Sequence, residues 1–187
     1  MNSILSKLAA AVLVAGGLAV MPAAARTVIV HTAEQVLANS DAVFEGQVVG
    51  VSARWAGAPG GAVLTDYTIA VDQVLNDETN LIGERRHPDG TVTLTFAGGT
   101  MGDLADRVGD VPVFRVGDRA YWMLRRADFN STSPITGVWQ GLYRVVPDGH
   151  GGSVVYGPSG CCLTASPFAA KPAAAGGTAL TLEAFEA

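Results

Sequence analysis

The chain has little cysteine, and what it has is placed unusually. Its two cysteines, Cys161 and Cys162, are neighbours in a sequence of 187 residues. Adjacent Cα atoms lie only about 3.8 Å apart, which is less than the separation that a disulfide normally spans. The pair therefore does not link distant parts of the fold. In an oxidising compartment, a strained vicinal bridge and free or intermolecular thiols are both open to it.

Positive charge is also scarce. Lysine and arginine total 12 against 17 aspartates and glutamates, which gives a formal net charge of −5. Nucleic-acid binding requires a basic face, so this balance argues against a nucleic-acid partner. After residue 20 the sequence contains no apolar run long enough to span a bilayer.

Residues 1–25 have the three parts of a cleavable secretory signal. Lys7 supplies the positive start, residues 8–20 form the apolar run, and Pro22 precedes three alanines. A membrane-spanning helix needs about 20 apolar residues, so the pattern favours cleavage after Ala25 over a retained anchor. We therefore expect an exported protein, periplasmic or secreted, that begins at Arg26 and has no transmembrane anchor. Loss of Lys7 changes its formal charge from −5 to −6.

The remaining sequence is typical of one mostly β domain over residues 26–157. Thr32 and Gln35 form a capping box for a short helix that ends near Asn39. Strands are predicted over residues 42–55, 63–75, 91–96, 120–124, 138–146 and 153–156. About six strands with few helices favour an all-β barrel or sandwich. Residues 158–187 are rich in alanine, glycine and proline and read as a tail with a short C-terminal helix.

Residues 100–113 show no sustained periodicity and predict a long excursion between strands. Loops of this length in compact domains are often functional. Asp103, Asp106 and Asp110 fall within it, but they lack the spacing of a calcium loop. The pattern therefore favours a solvated acidic loop over a cation site.

No catalytic or metal-binding set stands out. Nucleophilic catalysis needs a nucleophile, a base and an orienting group brought together, which here would mean Cys161 or Cys162 with a histidine. His31, His87 and His150 all lie in turns or beside the helix cap, as solvated loop histidines do. The sequence has neither an HExxH nor a CxxC motif. We predict no catalytic residue, no metal and no cofactor.

The tryptophans and the excursion supply the candidate binding residues. Trp122 lies in an apolar strand and is predicted to be core. Trp55 and Trp139 border loops, where exposed aromatic side chains are favoured binding anchors; alternatively, each covers one end of a barrel. With Met101 and Asp103 of the excursion, Trp55 and Trp139 form the predicted binding set.

Several segments resemble a group of uncharacterised exported bacterial β-barrel proteins. These segments are residues 42–48, 71–75, 98–99, 114–119 and 137–145, and the resemblance covers residues 41–146. That group is distantly similar to the OB-like barrel of the tissue inhibitors of metalloproteinases and netrin-type modules. The resemblance implies a small OB-like β-barrel with one or two short peripheral helices, and binding of another protein.

One feature of that inhibitor class is missing from this sequence. Those inhibitors depend on an N-terminal cysteine that chelates the metal of the target, whereas here Arg26 would come first and no cysteine precedes Cys161. We therefore predict a non-enzymatic, exported module that binds another extracytoplasmic protein, with a protease among the candidates. Two alternatives remain: an enzyme of unrecognised type that uses Cys161 or Cys162, and an envelope structural protein tethered through them.

Overall fold

The computed structural model describes residues 29–160. The predicted signal segment, Cys161 and Cys162, and residues 161–187 of the predicted tail lie outside the described residues. The statements about them above therefore stay predictions.

Within the described range the chain is mostly β. Two short α-helices occur, α1 (Ala33–Ala38) and α2 (Leu81–Arg85), and a 3-10 helix covers Arg126–Asn130. The strands are β1 (Ala42–Trp55), β2 (Val63–Asn76), β3 (Thr91–Ala97), β4 (Gly99–Met101), β5 (Leu104–Asp106), β6 (Arg119–Leu124), β7 (Leu142–Pro147) and β8 (Ser153–Tyr156). The predicted all-β class is confirmed.

Six strands form one antiparallel sheet in the order β3-β2-β1-β6-β7-β8, and β4 pairs with β5 in a separate hairpin. In the centre of the sheet Phe44 lies opposite Trp122, and Tyr67 lies opposite Leu94 on the next pair of strands. β3 and β8 are the two ends of this order and are not paired with each other. The sheet is therefore open, and the predicted closed barrel is not formed by the described residues.

The burial pattern gives the physical reason for the open sheet. Successive strand residues point to opposite faces, and here both faces are buried. Phe44 and Trp122 lie in one apolar cluster, which Leu81 and Ile82 of α2 and Phe114 join. Val43 and Tyr121, their chain neighbours, belong to a second cluster with Val36 of α1. A sheet covered on each face by another element buries its apolar side chains without closing on itself.

β1 is bent at its glycines, as expected for glycine inside a strand. The pairing of β1 with β2 shifts between Glu45 and Gly46 and again between Val48 and Gly50. A Cβ atom on Gly46 would lie 2.5 Å from the backbone oxygen of Ala70, so only glycine permits this approach of the strands. These register shifts are β-bulges, which bend the strand.

The helix cap is confirmed in detail. Gln35 donates its backbone N–H to Thr32 Oγ1 at 3.3 Å, and Thr32 donates its own to Gln35 Oε1 at 3.0 Å. α1 ends against Asn39. Helix α2 was not expected. The Asp77 carboxylate accepts from the backbone N–H groups of Ile82 and Gly83 in its first turn, and this satisfies donors that the start of a helix leaves without a partner.

Two strand predictions need correction. The fifth strand was expected over residues 138–146, but β7 begins only at Leu142. Val138 has a φ of 70° and Gly141 donates to the carbonyl of Thr136, so a tight turn occupies residues 136–141. The excursion at residues 100–113 was expected to lack strands. Its first part is the β4–β5 hairpin, in which Met101 lies opposite Leu104.

None of the helices within residues 29–160 is long and apolar enough to cross a bilayer.

Candidate ligand cleft

The excursion is held onto the sheet at its first residues. Gly98 donates its backbone N–H to the carbonyl of Val63 at 2.8 Å, and Thr65 Oγ1 donates to the carbonyl of Gly98 at 2.7 Å. Gly99 follows with a φ of 142°, and a Cβ atom there would collide with Thr65 Oγ1. Only glycine allows the backbone to lie this close to β2. The chain consequently turns out of β3 and runs back across the face of the sheet.

An open cleft of about 450 Å³ lies between this excursion and the sheet. Tyr67 and Phe96, both almost fully buried in the core, lie beneath it as its aromatic floor, and Val108, Val111 and Val113 contribute an apolar wall. The volume falls in the range of ligand-binding clefts. An aromatic floor with an apolar wall is suited to an apolar side chain or a similar small group.

The polar groups of the cleft are few. Asp106 Oδ2 accepts from the backbone N–H of Val63 at 3.3 Å, so this carboxylate holds β5 to the sheet. Thr65, Thr100 and Arg107 add polar atoms to the lining. Arg107 is exposed and is the cationic side chain of this lining, so it is placed to contact a negatively charged group of a ligand.

The hydroxyl of Tyr67 is a fixed element of the floor. It accepts from the backbone N–H of Phe114 at 3.4 Å, and the ring meets both Phe96 and Phe114 edge to face at 5.3 and 5.0 Å. Burial raises the pKa of this hydroxyl, and the negative charge of Asp118 raises it further. Tyr67 therefore stays protonated near neutral pH and is held rigidly at the base of the cleft.

The predicted binding residues fall in two places. Met101 and Asp103 lie at the tip of the β4–β5 hairpin, whose neighbouring residues line the cleft. Trp55 ends β1 opposite Val63, to whose carbonyl Gly98 donates. Trp55 is thus at the same end of the sheet as the hairpin. Trp139 lines a second depression, of about 200 Å³, together with Leu142, Arg144 and Tyr156, and Pro112 borders both this depression and the cleft.

His31, His87 and His150 are all exposed. His87 Nε2 lies 3.0 Å from Thr93 Oγ1 on the exposed surface of β3, away from the cleft. The backbone N–H of His31 donates to Gln140 Oε1 at 2.7 Å, and Gln140 also donates to the carbonyl of Ile29. Gln140 thereby fixes the N-terminal segment to the domain. In the range 29–160, no three histidine, cysteine or acidic side chains are placed to hold a metal ion.

Tyr67 and Phe96 are the cleft residues that sequence reasoning did not assign to a site. The alternation of β2 and β3 placed them on the buried face, where they read as core. Nothing in the sequence indicates that the excursion leaves a cleft next to these two core residues. The nearest signal is Gly98 and Gly99, which mark where the chain leaves β3.

No protein-family model, curated protein or solved structure matches this chain.

Proposed function

We propose that the chain is an exported, non-enzymatic module that binds another extracytoplasmic protein, with a protease among the candidates, and that the cleft takes an apolar side chain of that partner. The observation that carries the proposal is the cleft itself, with an aromatic floor and an apolar wall held in place by the excursion. Val113 in the cleft wall is 74 % exposed, so its apolar side chain is accessible to a partner at the surface. The predicted secretory signal supports an extracytoplasmic partner.

The proposal includes the OB-like relationship. An OB-fold is a partly open, five-stranded barrel, and an open sheet with a bent first strand is compatible with that architecture. Cys161 and Cys162, on which an enzymatic or tethering role would depend, lie outside the described residues. No described contact favours either role.

Site-specific photo-crosslinking tests the proposal in the producing cell. A benzophenone amino acid replaces Val113 at the cleft wall, and in a matched control it replaces Val146, which is 39 % exposed on β7. We expect one adduct that forms from position 113 and not from position 146, with the partner identified by mass spectrometry. Equal labelling from both positions, or none from position 113, would contradict the proposal.

Affinity of the purified pair then tests the cleft directly. Burying one valine side chain contributes roughly 1.5–3 kcal/mol, so Val113→Asp should weaken binding about 10- to 100-fold. Val146→Asp adds the same charge away from the cleft and should leave the Kd unchanged. If Val113→Asp binds as tightly as the unchanged protein, the cleft does not hold the partner.

A further inference from the structure

β1 has a neighbour on both sides along only half of its length. Residues 42–47 pair with β6 on one side, and residues 43–48 pair with β2 on the other. Val48 then makes the last contacts on the β6 side, donating to the carbonyl of Asp118 and accepting from the N–H of Gly117. Beyond this point, in the described part of the chain, Val49 is the extra residue of a register shift and residues 50–55 pair with β2 alone, which leaves residues 49–55 without a strand neighbour on the β6 side. We call these seven residues the β1 edge.

The hydrogen-bond phase shows which backbone groups of the β1 edge point outward. Ala56 donates to the carbonyl of Ala62 at 2.8 Å, so residue 56 faces β2. Along an antiparallel strand, successive residues direct their backbone N–H and C=O groups to opposite edges of the strand. The N–H and C=O groups of Val51, Ala53 and Trp55 consequently point away from β2. The carbonyl of Val63, opposite Trp55, is used by Gly98 on the far side of β2, which agrees with this phase.

The β1 edge carries one charge, Arg54, which is paired with Asp66 of β2, while Val49, Val51 and Trp55 are apolar. Val49 and Val51 are 46 % and 45 % exposed, and Trp55 is half-buried. Natural proteins protect edges with charges, proline or covering segments. At the fork where β6 departs, Val116 is also exposed, next to the Gly117 that contacts Val48. The edge combines open backbone groups with apolar side chains.

An extended polypeptide is the ligand that matches a row of outward N–H and C=O groups. We infer that the β1 edge accepts an extended segment of a partner polypeptide as an added strand. The inference rests on the proposed function, because it states the form in which a partner protein binds. Cross-strand contacts with Val51 and Trp55 would favour apolar or aromatic residues at alternate positions of the segment.

A second copy of this chain fits the edge less well. Specific interfaces use about 20–30 residues on each side, whereas self-pairing along this edge would use seven. The net charge of −5 on each copy adds repulsion. A flexible segment of another protein does not require a second folded surface to match.

Amide hydrogen exchange on the full exported chain tests the inference. The probe is a synthetic octapeptide of alternating threonine and valine, and its control replaces the two central threonines with proline. We expect the probe to slow exchange at residues 51, 53 and 55 at least tenfold, and the proline peptide to have no effect. The inference is overturned if the probe slows none of them. It is also overturned if these amides are already slow in the dilute, isolated protein, since another part of the chain then covers the edge. Slowing that depends on protein concentration alone would assign the edge to a second copy and overturn it too.

Edge variants complete the test. Ala53→Pro removes one outward N–H without breaking a hydrogen bond to β2, and Ala53→Ser keeps that N–H at the same position. We expect Ala53→Ser to retain the slowing at residues 51 and 55 and Ala53→Pro to lose it. Val51→Lys, which blocks an edge through its side chain, should lose it as well. Retention in both blocking variants would refute strand addition.

The cleft and the edge can fail separately. If Val113→Asp weakens partner binding while the probe leaves the edge amides unaffected, the proposed function stands and strand addition does not. If the probe protects the edge but Val113→Asp and the crosslinking show no partner at the cleft, the edge remains a peptide site and the cleft proposal fails.

Discussion

The hydroxyl of Thr65 anchors the excursion, and its removal is the sharpest test of how the cleft is built. Thr65 is buried on β2, and its Oγ1 donates to the carbonyl of Gly98 at 2.7 Å. Gly98 is itself buried. Thr65→Val keeps the branched shape that a strand favours but removes the donor. The variant therefore leaves a buried carbonyl without this partner.

The cost follows from that unsatisfied carbonyl. Leaving a buried acceptor unpaired costs about 1–3 kcal/mol, so we expect the free energy of unfolding to fall by that amount. Thr65→Ser is the matched control, because it keeps the hydroxyl and loses one methyl group, worth about 0.8 kcal/mol. Chemical denaturation of the two variants gives the comparison.

Amide exchange locates the effect. The N–H of Gly98, which donates to Val63, should exchange about 5- to 100-fold faster in Thr65→Val, since 1.4 kcal/mol corresponds to a factor of ten. In Thr65→Ser it should exchange nearly as in the unchanged protein. A Thr65→Val protein that is as stable as Thr65→Ser, with unaltered exchange at Gly98, would show that this hydrogen bond does not hold the excursion.

Two further predictions concern the opposite face of the sheet. Arg119 Nε lies 2.7 Å from Glu45 Oε1, and the Glu45 side chain is almost fully buried. Arg119→Met should lower the free energy of unfolding by about 3 kcal/mol. The control is Arg54→Met, at an exposed ion pair with Asp66, which should barely change the denaturation midpoint. Equal effects of the two substitutions would contradict the role of burial. Burial raises the pKa of Tyr143 from 10.0 to about 12, so the folded state holds its proton more tightly. The free energy of unfolding is then unaffected below pH 10 and falls by about 2–3 kcal/mol as the pH rises to 12. Tyr143→Phe should remove this part of the alkaline loss of stability. If the free energy of unfolding falls as steeply with pH in Tyr143→Phe as in the unchanged protein, the prediction is wrong.

Local signals account for the elements that the sequence predicted correctly. The capping box of Thr32 and Gln35 depends on residues three apart, and the alternation around Tyr67 and Ile69 is a property of one strand. Such signals depend on the residues of a single element, so they survive whatever surrounds it. Turns with glycine and proline bounded β2, β3 and β8 for the same reason.

The missed elements depend on contacts between distant residues. Residues 138–141 have β-prone side chains, but Gly141 fits closely against Met123, and the chain turns there instead of extending. Helix α2 begins because Asp77 reaches its first N–H groups, and it is kept by the burial of Leu81 and Ile82 in the sheet cluster. Neither contact can be read from the local pattern.

Local sequence patterns suffice to predict the all-β class, the positions of most strands and the short N-terminal helix, because these follow from periodicity and capping within a few residues. The tertiary structure leaves the sheet open, because that outcome depends on α1 and α2 covering opposite faces. It also decided that the excursion leaves a cleft above Tyr67 and Phe96 and that β1 outruns β6. These features arise where elements far apart in the chain do not cover one another. The residues of β1, for example, do not determine how long its neighbour β6 is.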